Sequence, residues 1–286
     1  MSKNKPTHTP LIAQYLTIRQ QYPDAMLFFQ VGDFYELFFE DAITASQFLA
    51  ITLTKRGKAN GADIPLCGVP VHALTHYLVK LVKGGYTVAL CDQLSKPQPG
   101  TVVKRAVTKV YTPGTLTDEQ LLDEKAASYL CTFFPLPSGT QWGLAFTELL
   151  TAHVSLTVVD AHDIRVLESE LARFSPDEIV LLPSEKQLLI SQLTKWGYKV
   201  SMLREHAEQS ALTAQQLLDD AVAADWITKT FASDTQQQLQ AAPSLRGAVE
   251  LLYRYLSRNQ PVAIENITAL SFYEPATYVT LDAATQ

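Results

Sequence analysis

The chain has 286 residues, 47% of them apolar and 18% charged, a length for about two domains and a composition that excludes a disordered chain. No apolar run reaches the roughly 18 residues that cross a bilayer, and the opening MSKNKPTHT is polar around Lys3 and Lys5 where a signal peptide would be apolar. No membrane partner is expected. The net charge of −6 is uneven: residues 1–115 hold 12 Lys/Arg against 7 Asp/Glu, and residues 116–286 hold 11 against 22. A chain basic in front and acidic behind reads as two units, and only the first has the charge of a phosphate binder.

Residues 1–9 read as a disordered tail. From Pro10, PLIAQYLTIRQQY spaces Leu11, Ile12, Tyr15, Leu16 and Ile18 as a helix does, and Pro23-Asp24 stops it. MLFFQV follows as a strand and Gly32-Asp33 as a turn. Phe34 and Tyr35 come directly at this turn, where side chains tend to be displayed. FEDAITASQFLA returns to helical spacing, residues 51–54 read as a second strand, and KRGKANGADIP (55–65) as a polar loop. PLCGVPVHA reads as a turn stiffened by Pro65, Gly68 and Pro70. VHALTHYLVKLVKGG is an amphipathic helix ended by Gly84-Gly85, and strands at 86–91 and 102–111 flank a hairpin-like KPQPG loop. These close a mixed α/β domain over residues 10–115.

Residues 116–127, with the acidic helix TDEQLLDEK, form a linker. Three strands then alternate with turns as in a meander: SYLCTFF, WGLAFTEL and AHVSLTVV. Alternating elements follow: helix ESELARF, strand EIVLLP, helix SEKQLLISQLTKWG capped by Ser184, and strand YKVSML. TAQQLLDDAVA and PSLRGAVELLYRYLSRN read as helices, and PVAIENITALSFYEPATYVTLDAATQ as mostly extended, ending like a cut chain. The fold class expected is α/β: two consecutive mixed α/β domains, the second over residues 128–260.

Catalytic signatures are missing. There is no GxxxxGK[ST], HExxH, GxSxG or GxGxxG, so no catalytic residue is assigned and no enzyme is expected of these residues. His72 and His76 form the single i, i+4 histidine pair, without a carboxylate to complete a metal site. Cys67, Cys91 and Cys131 form no CxxC unit and read as reduced thiols of a cytoplasmic protein.

Read in order, GDFYELFFEDA, LTKRG, PLCGVPVHA, YLVKLVKGGYTVALCDQ and TPGTLTDE resemble the N-terminal part of the bacterial DNA mismatch-recognition family MutS. The likeness is dense over residues 9–125. It implies a mismatch-recognition domain at 10–115, an RNase H-like connector at 128–260, and the start of a lever/core domain at 261–286. It further implies a Phe-x-Glu motif that enters the minor groove: Phe34 stacking on a mispaired or unpaired base, Glu36 accepting a hydrogen bond from it, and Tyr35 packing inward. Stacking suits this task because every base has a π-face, and unstacking costs least where pairing is already defective.

Lys55, Arg56, Lys58, Lys104 and Arg105 are candidate contacts to the DNA backbone, which position without specifying. No cofactor is expected here; the whole family protein uses ATP and Mg, dimerises through other domains, and meets a MutL-type partner through the connector. The implied location is the cytoplasm, on the nucleoid. The sequence departs from the family pattern at Asp92, where Glu is frequent, and at Phe146–Thr151, where the connector usually carries an Asp-x-Ser-Thr-Gly-like turn. Two alternatives stand beside this: a paralogue with another DNA-structure role, and a metal-dependent RNase H-like nuclease, for which the second domain offers mainly Glu148 and Asp160.

Overall fold

The computed structural model describes residues 9–59, 62–96, 98, 101–115, 128–136, 139–183, 187–203 and 213–275. The chain divides into two compact units, one ending at Pro113 and the other beginning at Gly114.

The first unit contains α1 (Pro10–Gln21), β1 (Met26–Val31), β2 (Phe34–Phe38), α2 (Phe39–Leu49), β3 (Thr54–Ala59), β4 (Ala62–Pro70), α3 (Leu74–Lys83), β5 (Val88–Gln93) and β6 (Arg105–Tyr111). Its sheet has the order β3-β4-β2-β1-β5-β6. Only β1 and β5 run parallel, joined by the long connection that a parallel pair requires. α1 covers one face, packing Ile12, Tyr15 and Ile18 against Leu27, Phe29, Phe38 and Cys91. Strand alternation turns Phe28, Tyr35, Leu37, Cys67 and Val69 to the other face; α2 and α3 pack against these strands.

One buried carboxylate ties the layers together. Asp41, in the first turn of α2, accepts hydrogen bonds from Arg19 Nε at 2.9 Å, Arg19 Nη2 at 3.1 Å, the Tyr15 hydroxyl at 3.2 Å and the backbone N–H of Leu27 at 3.1 Å. Three elements thus share one acceptor, and the burial of Asp41 is compensated by charge and by donors.

The region expected as a strand at 51–54, a polar loop and a stiff turn is a β-hairpin instead. β3 begins at Thr54 and runs through the polar residues; β4 includes Pro65, Gly68 and Pro70. As the sheet's edge strand, β3 exposes Lys55, Arg56 and Lys58. A charged edge that resists further pairing carries no apolar alternation to read. The ladder shifts register between Lys55 and Lys58, around Gly57 at φ +70°, where a glycine carries no Cβ penalty.

The second unit contains β7 (Tyr129–Pro135), β8 (Gln141–Glu148), β9 (His153–Asp160), α4 (Ile164–Phe174), β10 (Glu178–Leu181), α5 (Gln187–Lys195), β11 (Val200–Met202), α6 (Ala214–Leu218), α7 (Ala221–Thr230), α8 (Ser233–Ala241), α9 (Pro243–Asn259), α10 (Pro261–Asn266) and β12 (Leu270–Phe272). The sheet order is β11-β10-β7-β8-β9-β12. β7, β8 and β9 form the expected antiparallel meander, extended by parallel β10 and β11 on one side and parallel β12 on the other. Both sheets are mixed and both units are α/β.

α9 lies on one face of this second sheet through Leu245, Ala248, Val249, Leu252 and Leu256. The approach is close enough that a Cβ on Gly143 would sit 2.0 Å from the Ser244 carbonyl oxygen, and one on Gly247 2.3 Å from the Phe134 ring. The opposite face packs Leu167 and Leu171 of α4 and Leu193 of α5 against Cys131, Phe133, Leu144 and Phe146. On the α9 side of the sheet Glu178 is fully buried and accepts from Gly114 N–H at 3.1 Å and the Tyr255 hydroxyl at 2.8 Å.

TAQQLLDDAVA, expected as one helix, is split: α6 ends before Asp219, and the Asp220 side chain caps α7 by accepting from Val222 N–H at 3.0 Å. Residues 261–275, expected as extended, form α10 and then β12, which joins the second unit's sheet. The expected helix TDEQLLDEK, the Ser184 cap and residues 276–286 lie outside the described residues.

Candidate nucleic-acid interface

β1 and β2 are joined by the two-residue loop Gly32-Asp33, with Val31 opposite Phe34. Gly32 stands at φ +62°, a conformation that a two-residue hairpin needs and glycine supplies without strain. Phe34 is therefore the first residue of β2 rather than part of the turn. Alternation then separates three neighbours. Phe34 is 48% exposed, Tyr35 is buried, and Glu36 lies on the same side as Phe34, partly covered. Tyr35 is fixed in the opposite direction: its hydroxyl donates to Asp92 Oδ1 at 2.5 Å, and Thr108 donates to the other Asp92 oxygen. Burial, then the Asp92 carboxylate, push the Tyr35 phenol well above its usual range.

Glu36 is paired. Arg56 Nη1 lies 2.7 Å from one of its carboxylate oxygens and 2.6 Å from the other. Arg56 stands on β3 and Glu36 on β2, with β4 between them. The β4 residue opposite Glu36 is Gly68, so no side chain stands between the two. Burial raises the pKa of the Glu36 carboxyl from its ordinary value; Arg56 and then Arg105 pull against that rise.

Arg105 is held by the fold. Its Nε donates to the Gln30 carbonyl at 2.6 Å, Nη1 to Gln14 Oε1 at 3.0 Å and the Val103 carbonyl at 3.2 Å, and Nη2 to Gln93 Oε1 at 3.2 Å. The guanidinium carbon lies 4.8 Å from the centre of the Phe29 ring, a cation–π distance. Burial lowers its pKa. Gln93 Oε1 also accepts the Gly32 N–H at 3.0 Å, so Arg105 braces the turn that presents Phe34.

The lysines are placed differently. Lys55 and Lys58 are exposed on β3, with Lys55 Nζ 2.7 Å from Asp63 Oδ2; that bond raises the Lys55 pKa. Lys104 is exposed just before β6, and its backbone N–H donates to Ser95 Oγ at 3.0 Å. The structure thus brings Phe34, Glu36 and Arg56 together, sets Lys55 and Lys58 at one edge of the sheet and Lys104 at the other, and keeps Arg105 as a brace. Sequence pattern alone gave no sign of Gln30, Gln93 and Asp92, whose polar partners are remote along the chain.

In the second unit Glu148 pairs across the hairpin with His153, and Asp160 with Gln141. They stand at opposite ends of the β8–β9 ladder, seven residue rises or about 23 Å apart, and so cannot share a metal. Among the described residues no group of three or more His, Cys, Asp or Glu side chains is placed to hold one.

Residues 9–120 match the family described as MutS domain I, and with relatives of that name matching nearly the whole chain the chain belongs to the MutS family. Proteins named DNA mismatch repair protein MutS resemble it over most of its length: 34% identity over 279 residues in Carboxydothermus hydrogenoformans, covering 97% of this chain and 30% of that protein. The Desulfitobacterium hafniense protein is 35% identical over 290 residues, 100% of this chain and 30% of that protein. The Roseobacter denitrificans protein is 40% identical over 219 residues, 74% and 24%. The chain thus spans less than a third of the length of these relatives.

Proposed function

We propose that the first unit is the mismatch sensor of a DNA mismatch repair protein, which inserts Phe34 into the minor groove beside a mispaired or unpaired base and offers Glu36 as a hydrogen-bond acceptor to that base. The observation that carries this reading is the split between neighbours: Phe34 is 48% exposed beside a braced turn, while Tyr35 is buried and hydrogen-bonded.

Strand spacing of about 4.8 Å sets Lys55 and Lys58 about 10 Å from β2 on one side and Lys104 about 14 Å away on the other. The three lysines are assigned to backbone phosphates away from the base that Phe34 reaches, contacts that position without specifying. Arg56 is assigned to the same backbone, and Arg105 to holding the turn. In the whole protein, this reading places the sensor in an ATP- and Mg-dependent dimeric clamp that meets a MutL-type partner through the connector, in the cytoplasm on the nucleoid.

The test is Phe34→Ala, with affinities measured for a matched and a single-mismatch duplex at one salt concentration. Loss of stacking worth about 1–3 kcal/mol is expected to lower mismatch affinity by one to two orders of magnitude and leave matched-duplex affinity nearly unchanged. Unaltered discrimination would refute the wedge.

A further inference from the structure

We infer that Arg56 is a competing partner for Glu36: it holds the carboxylate in the free protein, and base recognition requires Arg56 to leave for a DNA phosphate. This rests on the reading of Phe34 and Glu36 given above and assigns the regulation of that same site.

Both Glu36 oxygens face the one Arg56 nitrogen, at 2.6 and 2.7 Å. The acceptor intended for a base is therefore occupied before DNA arrives. The two partners are not equally free to move. The Glu36 side chain is 14% exposed and sits on β2, between β1 and β4. The Arg56 side chain is 48% exposed and sits on the edge strand, in the stretch where the ladder shifts register and next to Gly57 at φ +70°. Arg56 is the member that can leave.

A guanidinium accepts a phosphate as readily as a carboxylate, with the same planar donor geometry. A neighbouring phosphate can thus take over Arg56 with little net loss. Glu36 is then partly desolvated. Its other cationic neighbour, Arg105, has its nitrogens committed to Gln30, Gln14, Val103 and Gln93. An unpaired carboxylate in that position is costly until a donor reaches it. A displaced base can turn an N–H toward the carboxylate, whereas a well-paired duplex offers the minor groove only the second N–H of guanine N2, fixed in the stack, so the exchange penalises regular DNA.

The test is a double-mutant cycle on the full 286-residue chain, with Arg56→Gln, Glu36→Gln and both, against matched and single-mismatch duplexes. If the pair opens on binding, Arg56→Gln costs mismatch affinity about threefold less with Glu36 present than in the Glu36→Gln background, because only the former is spared breaking an ion pair. Equal costs in the two backgrounds would overturn the exchange. They would leave the groove reading standing, provided Glu36→Gln alone changes the matched-to-mismatched ratio. An unchanged ratio in Glu36→Gln, or no duplex binding by the chain, would overturn both.

Discussion

Gln93 and Gly32 are joined by a hydrogen bond of 3.0 Å from the glycine N–H to the carboxamide oxygen, across 61 positions of sequence. The same oxygen takes Arg105 Nη2, and the Gln93 N–H donates to Gln30 Oε1 at 2.8 Å. The turn that presents Phe34 is therefore tied to β5 and β6 as well as to its own hairpin. Gln93→Ala removes an acceptor from a partly exposed site, so a stability loss of about 1 kcal/mol is expected. The sharper sign is local: faster amide hydrogen exchange at Gly32, with strand β1 still protected.

Lys104 and Arg105 are adjacent in sequence but are expected to respond differently. Lys104→Gln should weaken matched and mismatched duplexes equally and reduce the slope of log affinity against log salt by about 0.9. Arg105→Gln removes four donor contacts and a ring contact inside the unit. It should lower the unfolding midpoint and selectively erode mismatch affinity. Salt titrations of the two variants, set beside their denaturation curves, check this.

Glu250 gives the second unit a pH dependence. It is fully buried on α9, where Arg246 Nε donates to one oxygen at 2.8 Å and the other oxygen has no hydrogen-bond partner among the described residues. Burial pushes its pKa from 4.5 up to about 7; Arg246 and Arg254 oppose the rise and Asp220 adds to it. The folded state thus holds a proton that the unfolded state releases. Its stabilising contribution is complete below about pH 4.5 and is lost as pH rises to about 7, on the order of 3 kcal/mol in all. Glu250→Gln, neutral at every pH, should flatten this slope. The difference in urea stability between wild type and variant from pH 4.5 to 8 is the measure.

Legibility in the sequence followed the physical source of each feature. MLFFQV and the meander were readable as short apolar runs because both faces of their sheets are covered, and PSLRGAVELLYRYLSRN because its helical apolar spacing reflects burial against one sheet face. β3 and β4 were not, because Lys55, Arg56 and Lys58 face solvent and the ladder hydrogen bonds carry no side-chain signature. α10 was missed although Pro261 at its first position is a helix-start signal. The turn before Phe34 pointed to display of Phe34 and Tyr35 alike, and only the family resemblance separated the exposed ring from the buried one. The bracing of Phe34 was not legible: the Glu36–Arg56 pair spans 20 positions and Gln93–Gly32 spans 61, and polar contacts at such separations leave no local pattern.

The most direct test of the central claim is fluorescence from a 2-aminopurine placed in a duplex, once unpaired and once paired with thymine. Stacking of the Phe34 ring on the displaced base is expected to change the emission of the unpaired probe when the chain binds, with little change for the paired probe and none for either in Phe34→Ala. Equal emission changes in the wild-type and Phe34→Ala chains would contradict the account.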